Sequence, residues 1–350
     1  ENMPRKAVAV LSASGLVGQR FQQRLCEHPW FEFVAVAGSP MSEGRKLSEI
    51  PWRLDEARPD LPELTVLGMN SLVDELLELE VEIVFSALPS DIALDVEPMI
   101  AAAGISVLSN ASAHRCIAGI PLVIADLNPH HLTHWRDSAL GPITCSTNCT
   151  VIPIALPLKP LWDMVGFNQV SIRTEQALSG GGWELLSSGI AGGNCEIPGE
   201  AEKIEQELLH ILGRVSIEGI SPTTIGINVD CKRVSERDGH LVHVEVELNR
   251  ETSLSEIKEW MAAWSDRPQH LKLPSAPDNP VIIVDSLPTR EEYLMAGGEG
   301  LKSGMSVVVG NLKIDKTRLS FSALSHNTIR GAAGGCILLA ELMLAEGLLD

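Results

Sequence analysis

The stretch KAVAVLSASGLVGQRFQQRL constrains the fold more than any other part of the chain. Ala7 to Leu11 form a short apolar strand, small residues make a turn, and Leu16, Val17, Phe21 and Leu25 recur at helical spacing. A strand that runs through a tight turn into a helix opens a βαβ unit. Three further apolar runs, FEFVAVAGSP, VEIVFSALPS and GISVLSNAS, follow helical or turn segments and end in small polar residues. That alternation predicts a parallel, doubly wound sheet.

The first turn also carries chemistry. Ser12, Gly15 and Gly18 follow a G-x-x-G-x-x-G variant of the dinucleotide fingerprint, with Ser in the first Gly position. Glycines there let the backbone approach a pyrophosphate seated on the helix N-terminus, although ordinary βα turns use small residues too. The second strand ends at Ala37-Gly38-Ser39 without the carboxylate that usually holds a ribose 2′-hydroxyl. Arg45 and Lys46 lie a few residues on, beyond Glu43, so the pocket suits a 2′-phosphate and points to NADP.

A chain of 350 residues suits two domains, and 45% apolar content fills two cores. The formal charge of -19 argues against a nucleic-acid partner, so any anionic substrate must be held by a few placed cations. No run reaches the roughly 18 apolar residues of a membrane span, and the first residues lead straight into a strand, so a soluble, cytoplasmic protein is expected. Seven scattered cysteines fit reduced thiols better than a disulfide framework, and none has the partners of a metal shell.

Two of those cysteines lie in CSTNCT. Cys145 sits inside an incoming strand, PITCS, and reads as a buried bystander. Cys149 precedes TVIPIALPLKPLW, which reads as a helix interrupted by prolines, so the thiol stands near a helix N-terminus that stabilises a thiolate or an oxyanion. It is either a nucleophile or a small buried hydrophobe. A nucleophile needs a base, and His240 follows the turn pair Asp238-Gly239 at the mouth of a strand that alternates Val242, Val244, Val246 and Leu248 with His243, Glu245 and Glu247. The alternative is a solvated turn histidine. RTEQALSGGGW ends a strand in a Gly cluster suited to a flat ring or to a flexible loop, with Gln176 placed to orient a carbonyl or a water. Glu200 and Lys203 share one side of an amphipathic helix, and Arg233 suits a bidentate grip on a carboxylate.

With these residues in hand, the chain resembles the aspartate-semialdehyde dehydrogenases, in particular their archaeal and fungal-like branch. SASGLVGQR, VFSALPSDIA, SNASAHR, PLVIADLNPHHL, STNCT, TEQALSGGG, GEAEKIEQE, CKRV, GH, GMSVVVGNLKID and LSHNTIRGAAGGCILLAEL occur in family order nearly end to end. The resemblance implies that Cys149 is the nucleophile, beside Asn148 of the same motif. It makes Gln176 the residue that orients substrate, His240 the acid/base, and Arg233 the grip on the substrate carboxylate. Glu200 and Lys203 then contact substrate amino and phosphate groups. It implies NADP held by Ser12, Ser14, Gly15, Leu16, Val17, Ser39, Ser86, Ala87, Leu88 and Pro89, with Ser179, Gly180, Gly181 and Asn327 also at the cofactor. The implied reaction is reductive dephosphorylation of aspartyl phosphate through a cysteine thioester, in the biosynthesis of the aspartate family of amino acids. A small-molecule substrate, inorganic phosphate and a homo-oligomer, dimer or tetramer, come with it. A relative that reduces another acyl phosphate or acyl-CoA, such as malonyl-CoA, and a silent nucleotide-binding paralogue are the rivals. Departures from the family pattern fall at Ser12, at GSPMSEGRK, which lacks the arginine usual just after the strand, at Ala201 and at Asn311.

The expected fold is α/β: a Rossmann-type dinucleotide-binding domain over 1–148 and 327–350, with an α+β catalytic and dimerisation domain over 149–326 built on a mixed sheet. GAAGGCILLAELMLAEGLL is apolar on nearly every side and predicts a buried final helix that packs on the first domain.

Overall fold

The computed structural model describes residues 4–133, 138–190 and 195–349. Two compact units divide the chain, Glu1–Val123 with His131–Ser146 and Ala332–Asp350, and Ile124–His130 with Thr147–Gly331. These limits differ from the sequence expectation in three places. Ile124–His130 belongs with the second unit, where Asp126 pairs with the buried Arg330. Thr147 and Asn148 also belong there, and the tail rejoins the first unit at Ala332 rather than at 327.

The first unit carries five parallel strands, β1 (Lys6–Leu11), β2 (Phe31–Ala37), β3 (Ile83–Ser86), β4 (Ser106–Ser109) and β5 (Ile143–Cys145), in the order β2-β1-β3-β4-β5. The helices between these strands are α1 (Leu16–Leu25), α2 (Leu72–Glu78) and α3 (Ser90–Ala102). Strands buried on both faces need apolar residues throughout, and Val8 to Leu11 and Ile83 to Phe85 supply them. Phe21 of α1, Phe31 and Phe85 meet as a ring cluster with centroids 5.3 and 5.8 Å apart. The strand order reverses between β1 and β3, and in doubly wound sheets the crevice beyond the carboxyl ends at that point is where ligands lie.

The second unit begins with α4 (Val151–Met164) and β6 (Phe167–Gln176), followed by α5 (Trp183–Ser188), β7 (Cys195–Glu196) and α6 (Glu200–Ile211). A hairpin of β8 (Arg214–Ser216) and β9 (Gly219–Ser221) leads to β10 (Gly226–Arg233) and β11 (His240–Leu248). Then come α7 (Leu254–Ala263), α8 (Arg267–His270), β12 (Val281–Ile283), α9 (Arg290–Tyr293), β13 (Val307–Asp315) and β14 (Arg318–Ser325). Seven strands form one mixed sheet, β12-β13-β14-β11-β6-β10-β7, in which β6 and β10 are parallel and β11 runs antiparallel to β6 and β14. The period-two pattern of β11 is obeyed: Val242, Val244, Val246 and Leu248 are buried, while His243, Glu245 and Glu247 face the open side. That side holds a cavity of about 530 Å³ lined by polar residues including Arg173, Asp230 and His243.

Two sequence departures gain a physical reading. The prolines do not interrupt α4: Pro153 falls in the first turn, where its missing N–H costs no bond, and Pro157 and Pro160 lie inside a continuous helix. Nearly every α4 residue from Val151 to Leu161 is buried, and that burial outweighs a proline cost of about 3 kcal/mol each. Asn311 stands in an irregularity of the β13–β14 ladder with φ of 56°, a left-handed conformation that Asn adopts more readily than Arg. The chain returns to the first unit as α10 (Gly334–Ala345), buried almost all round, with Glu341 accepting from His28 Nε2 at 2.8 Å.

Candidate active site

Cys149 lies two residues ahead of α4 in a turn held from two directions. Asn148 Oδ1 accepts the Thr150 N–H at 2.8 Å, closing the turn locally. From α6, the buried Glu207 carboxylate accepts the Asn148 N–H at 2.6 Å, and Glu200 accepts from the Asn148 amide. A helix that reads in sequence as a solvated face therefore clamps the residue next to the thiol. Gly331 closes the other side, since a Cβ there would stand 3.0 Å from the Cys149 Cβ. Cys145, by contrast, is fully buried in β5.

The Cys149 Sγ is 3.0 Å from His240 Nε2. His240 opens β11 and is itself fully buried, and its Nδ1 accepts the Ala177 backbone N–H at 3.0 Å. A backbone N–H can only donate, so Nδ1 carries no proton and the neutral ring holds its single proton on Nε2, facing the sulfur. Burial, with smaller contributions from the Arg233 and Arg290 cations, pushes the ring well below the usual imidazole range. The pair is thus a neutral donor against a sulfur acceptor, and the nearby helix N-terminus also favours negative charge there.

Ala177 is the joint of the site. Its N–H fixes His240 and its carbonyl accepts from the buried Arg233 Nη1 at 2.6 Å. One residue earlier, Gln176 Oε1 accepts from Thr174 Oγ1 at 2.9 Å, which leaves the carboxamide nitrogen as the donor end, and the same Thr174 hydroxyl accepts the Lys232 N–H at 3.3 Å. Gly180 lies over both cationic and imidazole groups: a Cβ would come within 2.9 Å of Arg233 Nη1 and of His240 Cε1. Gly181 packs on Leu185 in the same way. Asn327 donates to Ser179 Oγ at 2.9 Å and accepts the Gly239 N–H at 2.8 Å, so both ends of its amide brace the turn before His240. The structure therefore brings Asn148, Cys149, Gln176, Glu200, Arg233 and His240 into one bonded neighbourhood. Lys203 stands exposed on α6 and outside that network. Sequence reasoning passed over Ala177, Glu207, Arg290 and Gly331, which act through backbone groups or closeness of approach and leave no motif.

In the first unit, the β1–α1 turn brings its small residues together. Ser12 has φ of 142°, a region natural to the glycine that the fingerprint calls for, and its Oγ accepts the Gly15 N–H at 3.2 Å. A Cβ at Gly18 would approach the Ser12 carbonyl to 2.2 Å, so the turn tolerates only glycine there. Among the described residues no side chain caps α1, which Ser14 and Gly15 precede and Leu16 and Val17 open. Beyond β3, Ser86 leads into Ala87, Leu88 and Pro89, and the buried Ser86 Oγ has no hydrogen-bond partner among the described residues. Ser39 is exposed beyond β2, and Arg45 Nη2 donates to the Glu49 carbonyl at 2.7 Å. Among the described residues, no group of three or more His, Cys, Asp or Glu side chains is disposed to hold a metal ion. No helix among them is long and apolar enough to cross a membrane.

A doubly wound unit of Rossmann type, joined in one chain to a mixed-sheet unit that holds a cysteine–histidine pair, defines a two-domain α/β protein with a thiol-centred site. Residues 7–135 match the model of the semialdehyde dehydrogenase NAD binding domain, and residues 158–330 match that of the semialdehyde dehydrogenase dimerisation domain. The chain belongs to the semialdehyde dehydrogenase family. It is 40% identical to the aspartate-semialdehyde dehydrogenase of Archaeoglobus fulgidus, over 98% of this chain and 99% of that one. It is 33% identical to the malonyl CoA reductase (NADP) of Metallosphaera sedula, over 98% of each. The aspartate-semialdehyde dehydrogenase of Candida albicans, crystallised with NADP, superposes with a TM-score of 0.86 at 30% identity, over 99% of this chain and 100% of that one.

Proposed function

We propose that the protein converts L-aspartyl 4-phosphate to L-aspartate 4-semialdehyde by NADP-dependent reductive dephosphorylation, through a thioester on Cys149. The observation that carries this reading is the 3.0 Å approach of Cys149 Sγ to His240 Nε2, with the ring's proton fixed on Nε2. The name shared by the Archaeoglobus fulgidus and Candida albicans relatives supports the choice of substrate.

In the reductive direction the Cys149 thiolate attacks the acyl carbon and a C–S bond replaces the bond to phosphate, which leaves as inorganic phosphate. NADPH, when bound, supplies the hydride. The oxygen of the resulting thiohemiacetal bears a negative charge until the C–S bond breaks, releasing the aldehyde and restoring the thiolate. The His240 Nε2–H donates a hydrogen bond first to sulfur and then to that oxygen, and stabilises both charges without surrendering its proton. The Gln176 carboxamide nitrogen orients the carbonyl. The Arg233 guanidinium has further donors beyond the one on the Ala177 carbonyl and grips the substrate carboxylate. Glu200, beside Asn148, receives the amino group, and Lys203 reaches for phosphate from the same helix.

The cofactor fits the first unit. The uncapped α1 N-terminus suits a pyrophosphate, and the unpartnered Ser86 hydroxyl lies at the switch point of the sheet. Ser12, Ser14 to Val17, Ser39 and Ser86 to Pro89 would hold it, and the absence of a carboxylate at the tip of β2 favours NADP over NAD. The match of the second unit to a dimerisation domain supports a homo-oligomer, most simply a dimer. Seven cysteines standing as thiols suit a reducing, cytoplasmic setting.

The test is a coupled assay of purified protein with aspartate semialdehyde, with and without phosphate, using NADP and NAD side by side and a Cys149→Ala control. Phosphate-dependent NADP reduction that vanishes in the control supports the reading. Phosphate-independent behaviour, or turnover of malonyl-CoA instead, overturns it.

A further inference from the structure

We propose that Arg290 is a positioning residue of this site, holding the two backbone carbonyls that immediately precede His240 and Gln176. The proposal rests on reading Cys149 and His240 as the reacting pair. Arg290 opens α9, whose first turn is capped by the Thr289 hydroxyl on the Glu292 N–H at 3.3 Å. From there its Nε donates to the Gly239 carbonyl at 3.0 Å, and its Nη2 reaches the Glu175 carbonyl at 3.5 Å. One planar group therefore spans the end of β6 and the start of β11, one residue before each functional side chain.

The Gly239 turn needs such a hold. Gly239 has φ of 100°, and its Cα face lies so close to Arg290 that a Cβ would stand 3.2 Å from both Cγ and Nε. Its ladder to β6 begins only at Leu241, which faces Glu175, so the peptide before His240 is not fixed by that pairing. Asn327 takes the Gly239 N–H and Arg290 takes its carbonyl, so the residue is held on both sides. With Ala177 on Nδ1, the ring then has one orientation in which Nε2 meets sulfur.

The guanidinium also acts as a charge. The charged and titratable groups around the imidazole are the Cys149 thiol, the Arg233 cation and the Arg290 cation, and the Glu236 and Glu175 carboxylates flank Arg290 itself. Arg290 contributes to the fall in proton affinity of His240, after burial and Arg233. Because His240 Nε2 is 3.0 Å from the sulfur, a cation acting on the ring bears on the thiol as well. Lysine would keep the charge and lose the fork that reaches both carbonyls, whereas methionine loses both.

Two readouts separate these roles in the full-length protein. The first is the pH dependence of Cys149 alkylation by iodoacetamide, which needs neither substrate nor cofactor. The second is the split between kcat and KM for aspartate semialdehyde. In R290M, kcat falls about 10- to 100-fold, as a displaced reacting group predicts, while KM stays within about twofold because Arg233 is intact. The alkylation limb of R290M also moves to higher pH. In R290K the limb stays in place and kcat still falls. An R290K protein with wild-type kcat overturns the positioning role even if R290M is too unstable to purify. So does an R290M protein that melts earlier yet keeps its kcat and its limb, since that is the behaviour of a merely structural arginine. A wild-type protein without semialdehyde turnover refutes the proposed reaction, and the rate of Cys149 alkylation above its limb then decides the positioning role, since an R290K protein labelled as fast as wild type overturns it.

Discussion

Gly331→Ala gives a sharp test of how the thiol is held. Gly331 lies in a single π-turn, Ile329–Ala333, and its missing side chain is what lets that turn pack on Cys149. A methyl there would stand 3.0 Å from Cys149 Cβ and 3.3 Å from its Cα and carbonyl oxygen. Carbon atoms in contact prefer about 3.5–4.0 Å, so one partner must move by a few tenths of an ångström. Neither is loose. The residues on either side of Cys149 are tied by Glu207 and by the Asn148 side chain, and Arg330, next to Gly331, is paired with Asp126. Overpacking of this kind costs about 1–3 kcal/mol, which for a unit of this size lowers Tm by several degrees. Because the displaced atoms include the Cβ that carries the sulfur, kcat should fall about 10- to 100-fold, and iodoacetamide should label Cys149 more slowly. The control is Gly226→Ala, where a Cβ meets its nearest neighbours at an ordinary 3.7 Å. Melting curves, the phosphate-dependent assay and alkylation rates would be read on both variants. A Gly331→Ala protein with wild-type kcat and labelling would refute the claim that close packing at this turn positions the nucleophile.

Three further outcomes are expected. Brief alkylation of the native protein, read by peptide mapping, labels Cys149 well ahead of Cys145, which is fully buried; equal labelling would deny Cys149 its special environment. Ser12→Gly relieves a backbone conformation that costs about 1–3 kcal/mol in a non-glycine residue, at the loss of one Ser12–Gly15 hydrogen bond worth about 1 kcal/mol. The variant is thus at least as stable as wild type and binds NADPH more tightly in a fluorescence titration, and a weaker affinity would count against the turn as a pyrophosphate site. The buried His240 has its folded pKa lowered, so below about pH 6.5 the unfolded ring takes up a proton that the folded one refuses. Stability therefore falls as pH drops from there toward the folded value, by up to about 1.4 kcal/mol per pH unit. Urea midpoints at pH 7.5 and 5.5 should show His240→Asn losing about 1 kcal/mol less than wild type, and an equal loss in both would remove His240 from the account.

What the sequence determined by itself is what local spacing encodes. The strand–turn–helix of SASGLVGQR, the alternation along β11, the position of Cys149 ahead of a helix and the all-round apolar α10 follow from periods of two and 3.6 residues that any chain must obey. The order of motifs along the chain carried the family resemblance. Tertiary structure alone decided what depends on contact across sequence distance. Cys149 and His240 are 91 residues apart, and only the folding of the second unit makes them neighbours. The sequence reading made His240 a proton-transferring acid/base. A hydrogen bond from the Ala177 backbone N–H to Nδ1 puts the ring's proton on the Nε2 that faces the sulfur, and a backbone N–H is the same for every residue type but proline, so no letter announces it. The prolines of α4 looked like breaks because propensity is local, and they are carried because burial is not. Glu207, Arg290 and Gly331 were silent for the same reason. Each acts on a backbone group or an empty space that exists only once the chain has folded around it.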